Sequence, residues 1–447
     1  EKMSHSGTES SAVSGAVAGA IPRPAYSRSG STATRRTLSS MSTTTPISLS
    51  HGLTSIDMNK PAVVIEIGEK LTKCGFAGEF SPRAIIRNEH IDELLVTRRN
   101  FFNGADETKK ESLRPLFRFL KHIYYTHLLS MPRERRVIVV ESLLCPTRTR
   151  RALCTCLLEM LDAPSVLFAP SHLLATFPFN TPTALVLDIG YKEVVAMPVA
   201  EGITMLSLWE AVPKGVRAVE ERVRKLLEEH ARIVDFEGAT RQIQRGDWHA
   251  IEQNDLIEDI VVRTLFVSPL SRADALRRGE QPSPATPDVE FPLGAESLVV
   301  PGIVRETACE VLFEGATDDE PSLPELIHAI IARCPLDLRR KLFSRLLIVG
   351  GGALLPGLLP RLRAELVRLA EVRDLKTADE VKFYRFDKTH FELFTSWLGG
   401  SMFATLQETL ATRSVSREKW LEDHHLPDTI DFIDPFDRHE STRHTRS

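Results

Sequence analysis

The sequence predicts an α/β chain built as two similar halves facing each other across a cleft, and three observations carry that prediction. Short β-branched and leucine runs alternate with stretches of helical periodicity. One strand–turn–strand motif occurs twice. A further strand ends in a run of glycines that opens a helix.

The strand runs are Ala62–Ile67, Val137–Val140, Thr183–Asp188 and Leu346–Val349, each bounded by breakers as buried strands are. Helices fit between them. Leu113, Leu116, Phe117, Leu120, Ile123, Tyr124 and Leu128 recur at spacings of three and four and make one apolar face. Leu153, Cys156, Leu157, Met160 and Leu161 do the same, as do Val216, Val219, Val223, Leu226 and Leu227. Ser322 and Glu325 form a capping box ahead of Leu326, Ile327, Ile330 and Ile331.

The repeat pairs Ala62–Lys70 (AVVIEIGEK) with Ala184–Lys192 (ALVLDIGYK). Each copy is a strand ending in an acid, a hydrophobe and a glycine, followed by a return strand, Thr72–Phe76 or Val194–Val199. Such a turn can aim backbone N–H groups at a phosphate, with the acid beside a magnesium ion. Unrelated hairpins can look alike by chance, but here acid and glycine keep register. Gly68, Asp188 and Gly190 are therefore candidate cofactor-binding residues. Gly350, Gly351 and Gly352 join them, because residues without side chains let a base or phosphate approach the backbone at a helix start. The helix beyond them has Leu359, Leu362, Leu366 and Leu369 on one face.

Composition sets the outer limits. The 447 residues are 42% hydrophobic and 26% charged, enough for two domains with good cores. A formal charge of −4 gives no general pull toward nucleic acid or anionic membrane. Six cysteines follow no zinc or disulfide spacing and suit reduced thiols of a cytoplasmic protein. No apolar run is long enough for a membrane span. Residues 1–58, rich in Ser, Thr, Gly and Ala, read as a disordered tail; the Arg/Ser stretch Arg23–Arg36 resembles a transit peptide, but its prolines and glycines spoil an amphipathic helix. Arg277–Pro292 holds four prolines and reads as an exposed loop, and residues 424–447 read as a surface tail.

From Ala62 to about Trp420 the chain resembles the actin family. Lys73–Ala84 (KCGFAGEFSPRA) is similar to that family's first phosphate hairpin running into its Pro-Arg segment. Glu141 with Pro146, and Glu159–Pro164, resemble the stretch leading to the hydrolytic glutamine; Gly350–Gly357 resembles the adenine-side turn; Trp397–Ser401 (WLGGS) resembles the signature near the family's C-terminus. The resemblance implies an actin-like (hexokinase/Hsp70-type) duplicated two-lobed α/β fold around a central nucleotide cleft. It implies an actin-like domain over 59–423, with lobe one at 59–182 plus 388–423 and lobe two at 183–387. It also places Lys73 among the cofactor-binding residues, and implies ATP as the ligand.

Departures from the family pattern argue against ATP turnover, and no residue is assigned a catalytic or metal-ligating role. Glu69 and Lys70 stand where the first hairpin has serine and glycine, and Glu69 aims a carboxylate toward phosphate unless Lys70 or magnesium screens it. Tyr191-Lys192 replaces a second Asp-Gly and fills space needed by phosphate. Ser171 stands at the water-orienting glutamine, too short for the same geometry. Glu258, Val261 and Val262 replace the Arg, Lys and Glu beside adenosine.

Glu141–Pro146, Ala163–His172 and Leu187–Lys192 are most similar to the branch of the family found at the pointed end of dynactin. Between Pro82-Arg83 and Glu141 the chain is shorter than actin, in the outer part that carries actin's loop plugging into the next filament subunit; here that interval holds Glu89–Thr108 and then a helix beginning near Glu111. Together these imply a non-polymerising structural subunit that caps the filament. Its implied partners are dynactin's actin-related filament subunit and the other pointed-end subunits, with no nucleic acid and no membrane insertion. The implied location is cytoplasmic and cytoskeletal, in dynein-driven cargo transport. Two other classes share the fold: a nuclear actin-related subunit of a chromatin remodeller, for which Arg35-Arg36 and Arg98-Arg99 are short as targeting clusters, and an ATPase or sugar kinase.

Overall fold

The computed structural model describes residues 60–88, 112–315, 320–372, 381–386 and 391–426. Segment 1–58, the interval Glu89–Thr108 and the chain from residue 427 onward lie outside the described residues.

Lobe one is built on a six-stranded sheet. Its strands are β1 (Val63–Ile67), β2 (Leu71–Phe76), β3 (Ala84–Arg87), β4 (Val137–Glu141), β5 (Ser165–Pro170) and an edge strand, Val415–Ser416. The order runs from that edge strand through β5, β4, β1 and β2 to β3, with β1, β4 and β5 parallel. These strands read as unbroken apolar runs because both faces are covered. Val63, Ile65, Val137 and Val139 enter a core with helix α1 (Arg114–His122) and helix α2 (Thr147–Cys154), each continuing into a π-helical turn. Val64, Ile138 and Val140 enter another with Trp397 and Leu398 of the helix Thr395–Phe403.

The tryptophan–glycine–glycine–serine signature is explained by that second core. Trp397 Nε1 donates to Val64 O at 3.1 Å, and Ser401 Oγ donates to Glu79 O at 2.8 Å. A side chain at Gly399 would run into Leu174 O, and a Cβ at Gly400 would lie 2.6 Å from Val140 Cγ2. The glycines let a helix lie directly on the sheet.

Lobe two repeats the plan. β6 (Ala184–Ile189) pairs antiparallel with β7 (Val194–Ala200), followed by β8 (Ile203–Thr204) and β9 (Glu210–Val212), both paired to β7. A separate four-stranded sheet holds β10 (Arg232–Val234), β11 (Thr240–Gln242), β12 (Val289–Leu293) and β13 (Glu296–Val300). β14 (Leu346–Val349) lies parallel to β6, and β15 (Phe383–Tyr384) closes that edge. Leu185, Leu187 and Ile189 enter the large lobe-two core together with helix α3 (Val216–His230), helix α4 (Leu256–Thr264), helix α5 (Leu323–Arg333) and helix α6 (Leu358–Val372). The capping box opens α5 as its residues predict: Ser322 N–H donates to Glu325 Oε2 at 2.8 Å, and Glu325 N–H to Ser322 Oγ.

One boundary differs from the sequence reading. The proline-rich interval 277–292 is a loop only from Arg278 to Asp288, because a helix, Leu270–Arg277, takes in its first residue and β12 takes up Val289–Leu293. Phe291 and Leu293 are buried and fix its register, while Pro292 is accommodated because β12 is the outer strand of its sheet. Between the lobes lies a small apolar cluster: Leu143 and Ala175 of lobe one against Val186, Val195, Met197, Val199, Leu347 and Val349 of lobe two.

Candidate functional site

The two copies of the repeat fold alike at the turn. Gly68 N–H donates to Leu71 O at 3.0 Å, and Gly190 N–H donates to Glu193 O at 3.0 Å. A Cβ at Gly68 would lie 2.9 Å from Leu71 O, and one at Gly190 3.1 Å from Glu193 O. Each turn is thus closed by the same bond and favours glycine for the same close approach.

The acids that end the strands face a common interior. Lys73 is buried, and its Nζ lies 2.5 Å from Glu66 Oε1, its neighbour across the hairpin. Burial raises the Glu66 carboxyl above its ordinary range; Lys73 opposes that, and the Asp188 charge adds to it. Glu66 Oε2 is enclosed and has no hydrogen-bond partner among the described residues. The structure therefore commits Lys73 to Glu66, which also feels the Asp188 charge. Among the described residues no group of three or more His, Cys, Asp or Glu is arranged to hold a metal ion.

The triple glycine has a different reason from the one its sequence suggests. Gly350 has φ +90°, and a Cβ there would meet Asp188 Oδ1 and lie 2.6 Å from Ile189 O. At Gly352 a Cβ would lie 3.0 Å from Ile189 Cβ and closer still to its Cγ2. Both positions are cleared for the end of β6. Only Gly351 is open, with Leu393 Cδ1 at 3.8 Å as the nearest atom to its Cβ position.

At the hairpin tips the two lobes touch through charged side chains. Glu69 of the first tip is ion-paired with Lys192 of the second. Lys70 Nζ lies 2.8 Å from Glu220 and 3.2 Å from Glu258, and sits 4.6 Å above the Tyr191 ring. The Tyr191 hydroxyl donates to Glu220 at 2.7 Å. Arg87 bridges to Asp255 and Glu258. The screening partner of Glu69 is thus Lys192 of the other lobe, whereas Lys70, the cation expected to screen it, is turned to Glu220 and Glu258.

Backbone donors near the second tip are also engaged. Val216 N–H and Arg217 N–H, at the start of α3, donate to Gly190 O and Tyr191 O at 3.0 and 2.8 Å. Around the tips stand the carboxylates Glu69, Glu220, Asp255 and Glu258 against the cations Lys70, Arg87 and Lys192. A nucleotide's phosphates would have to part these pairs and add negative charge to an acidic surround. The residues as arranged do not fit that group. A cavity of about 370 Å³ lies at the far ends of β1 and β2, lined by Pro61, Phe76, Leu128 and Arg135 among others.

Ser171 opens the short helix Ser171–Leu174 and is buried. Its Oγ is 3.2 Å from His172 Nδ1, and His172 Nε2 is 3.2 Å from Val195 O. A carbonyl only accepts, so Nε2 carries the proton and the Ser171 hydroxyl donates to Nδ1. Burial holds the His172 imidazole below its ordinary pKa, with Asp188 opposing the shift. Val261 is buried in the lobe-two core, and Val262 is 72% exposed. Sequence reasoning did not single out Arg87, His172 or Glu220, and it left Glu66, the acid of the first repeat copy, out of the candidate residues. The internal repeat alone could have drawn attention to Glu66, which occupies the register position of Asp188.

A family model described as Actin matches residues 115–426. "Actin-related protein 10" of Dictyostelium discoideum is 24% identical, over 81% of this chain and 86% of that protein. "Putative actin-29" of the same organism is 23% identical, over 82% of this chain and 95% of that protein.

Proposed function

The chain belongs to the actin family, and from that premise we propose that it is a non-hydrolysing structural subunit that caps the pointed end of the dynactin filament. The observation that carries the loss of hydrolysis is the pairing of Glu69 with Lys192 and of Lys70 with Glu220 where the phosphates of a nucleotide would lie. Ser171 supports it, because its hydroxyl is spent on a buried histidine and is too short to position an attacking water. The pointed-end placement draws on the likeness of Glu141–Pro146, Ala163–His172 and Leu187–Lys192 to that branch of the family, and on the similarity to an actin-related protein. The short outer stretch between Arg83 and Glu141, which holds Glu89–Thr108, points the same way, since an end without a full plug does not receive another subunit. On this reading its partners are the actin-related filament subunit and the neighbouring pointed-end subunits, in the cytoplasm.

Two measurements test it. Purified protein shows no phosphate release above background, and Ser171→Gln does not restore any; steady release abolished by Asp188→Ala would overturn the loss of hydrolysis. Purification from native extract followed by electron microscopy places one copy at one end of an actin-like filament. Copies repeated along the filament, or self-assembled polymers, would end the capping reading even with the fold correct.

A further inference from the structure

Five ion pairs at the hairpin tips run from one lobe to the other. Glu69, Lys70 and Arg87 belong to lobe one; Lys192, Glu220, Asp255 and Glu258 belong to lobe two. Most of the set is a network, since Glu258 takes both Lys70 and Arg87, and Glu220 takes both Lys70 and the Tyr191 hydroxyl, with the Glu69–Lys192 pair beside it. Lys70, Glu220 and Glu258 are mostly covered, with side chains 26%, 15% and 24% exposed, so the pairs are stronger than isolated surface ones while salt still reaches them.

Both sides of the contact are held in place. Asn88 Nδ2 donates to Gly68 O at 2.7 Å and Thr72 Oγ1 to Asn88 Oδ1 at 2.7 Å, which fixes the first tip. The second tip is fixed by the α3 N–H bonds to Gly190 and Tyr191. Gly215 allows this approach, because a side chain there would run into the Tyr191 carbonyl.

We propose that these pairs are a latch that fastens lobe to lobe, so that the closed cleft is maintained by the chain's own side chains and does not depend on nucleotide. The inference is independent of which assembly the protein occupies. It implies that the inter-lobe contact weakens with ionic strength and is indifferent to Mg-ATP.

The test is hydrogen exchange of the full chain at the tip amides, residues 69–72 and 191–194, for wild type, Glu69→Lys, Lys192→Glu and the double reversal. Each single reversal places like charges opposite one another and speeds tip exchange by about three- to tenfold, and the double variant returns it to the wild-type rate. High salt speeds the wild type and leaves the double variant parallel to it. Glu69→Gln and Lys192→Gln give smaller increases and serve if a reversal fails to fold. Equal exchange in both singles and wild type would overturn the latch. So would protection of the wild-type tips on adding Mg-ATP, because the cleft would then open to nucleotide in spite of the pairs.

Discussion

The hairpins β1–β2 and β6–β7 share a backbone and almost nothing around it. Both turns close with a glycine N–H bond of 3.0 Å to the residue three positions on, and both exclude a Cβ by a carbonyl oxygen. Their supports differ. The first leans on Asn88 and on Trp397, whose indole reaches Val64 O. The second leans on the start of α3, on the Gly350 turn and on His172, which bonds Val195 O. What the duplicated motif shares here is turn geometry, set by a close carbonyl approach that disfavours a side chain. Side chains at its tips obey no such limit, and in this chain they have become complementary charges.

Substitutions at the supports sharpen the contrast most. Gly350→Ala forces a Cβ into Asp188 and Ile189 at a positive φ, and destabilises by about 3 kcal/mol or more. Gly351→Ala, one residue on, meets open space and changes stability by less than about 0.5 kcal/mol. Urea denaturation of the two variants reads the difference; similar costs would mean the turn does not pack on β6 as described.

A smaller effect tests the equivalence of the turns themselves. Gly68→Ala and Gly190→Ala each place a Cβ near 3 Å from a carbonyl oxygen, and each costs about 1–2 kcal/mol. A large inequality in urea midpoints would show that the shared bond is not what makes the hairpins alike.

The smallest effect concerns pH and belongs to the second hairpin alone. His172 has a lowered folded pKa because it is buried, so the unfolded chain takes up the proton first. Its contribution to stability is therefore complete above the unfolded value, about 6.5, and is lost as pH falls from there toward the folded value. The melting temperature of the wild type should fall more steeply than that of His172→Gln between about pH 7 and pH 5. Parallel curves would place the histidine in a setting where charge costs nothing.

Much of the fold was legible because burial on both faces leaves a mark in composition. Val63–Ile65, Val137–Val140 and Leu346–Val349 read as strands since neither side offers water, and the helical faces of α1 and α3 follow their apolar spacing. β12 was missed because Pro292 and the three prolines ahead of the strand outweigh two buried residues in a local reading, and only its place at a sheet edge makes Pro292 acceptable. Within the site, Gly68, Asp188 and Gly190 stand where the repeat puts them. Lys73 is beside Glu66, and Gly350 and Gly352 face their own chain.

The sequence by itself determined the duplicated α/β plan, the two glycine turns and the family, because periodicity, register and backbone sterics are local properties written residue by residue. It also showed that Glu69, Lys70, Tyr191 and Lys192 depart from a phosphate-binding pattern. Tertiary structure alone decided what those residues do instead. Glu69 and Lys192 are far apart along the chain, and a carboxylate reads the same whether it opposes a phosphate or an ammonium group. Only when the folded lobes set one tip against the other does charge become pairing.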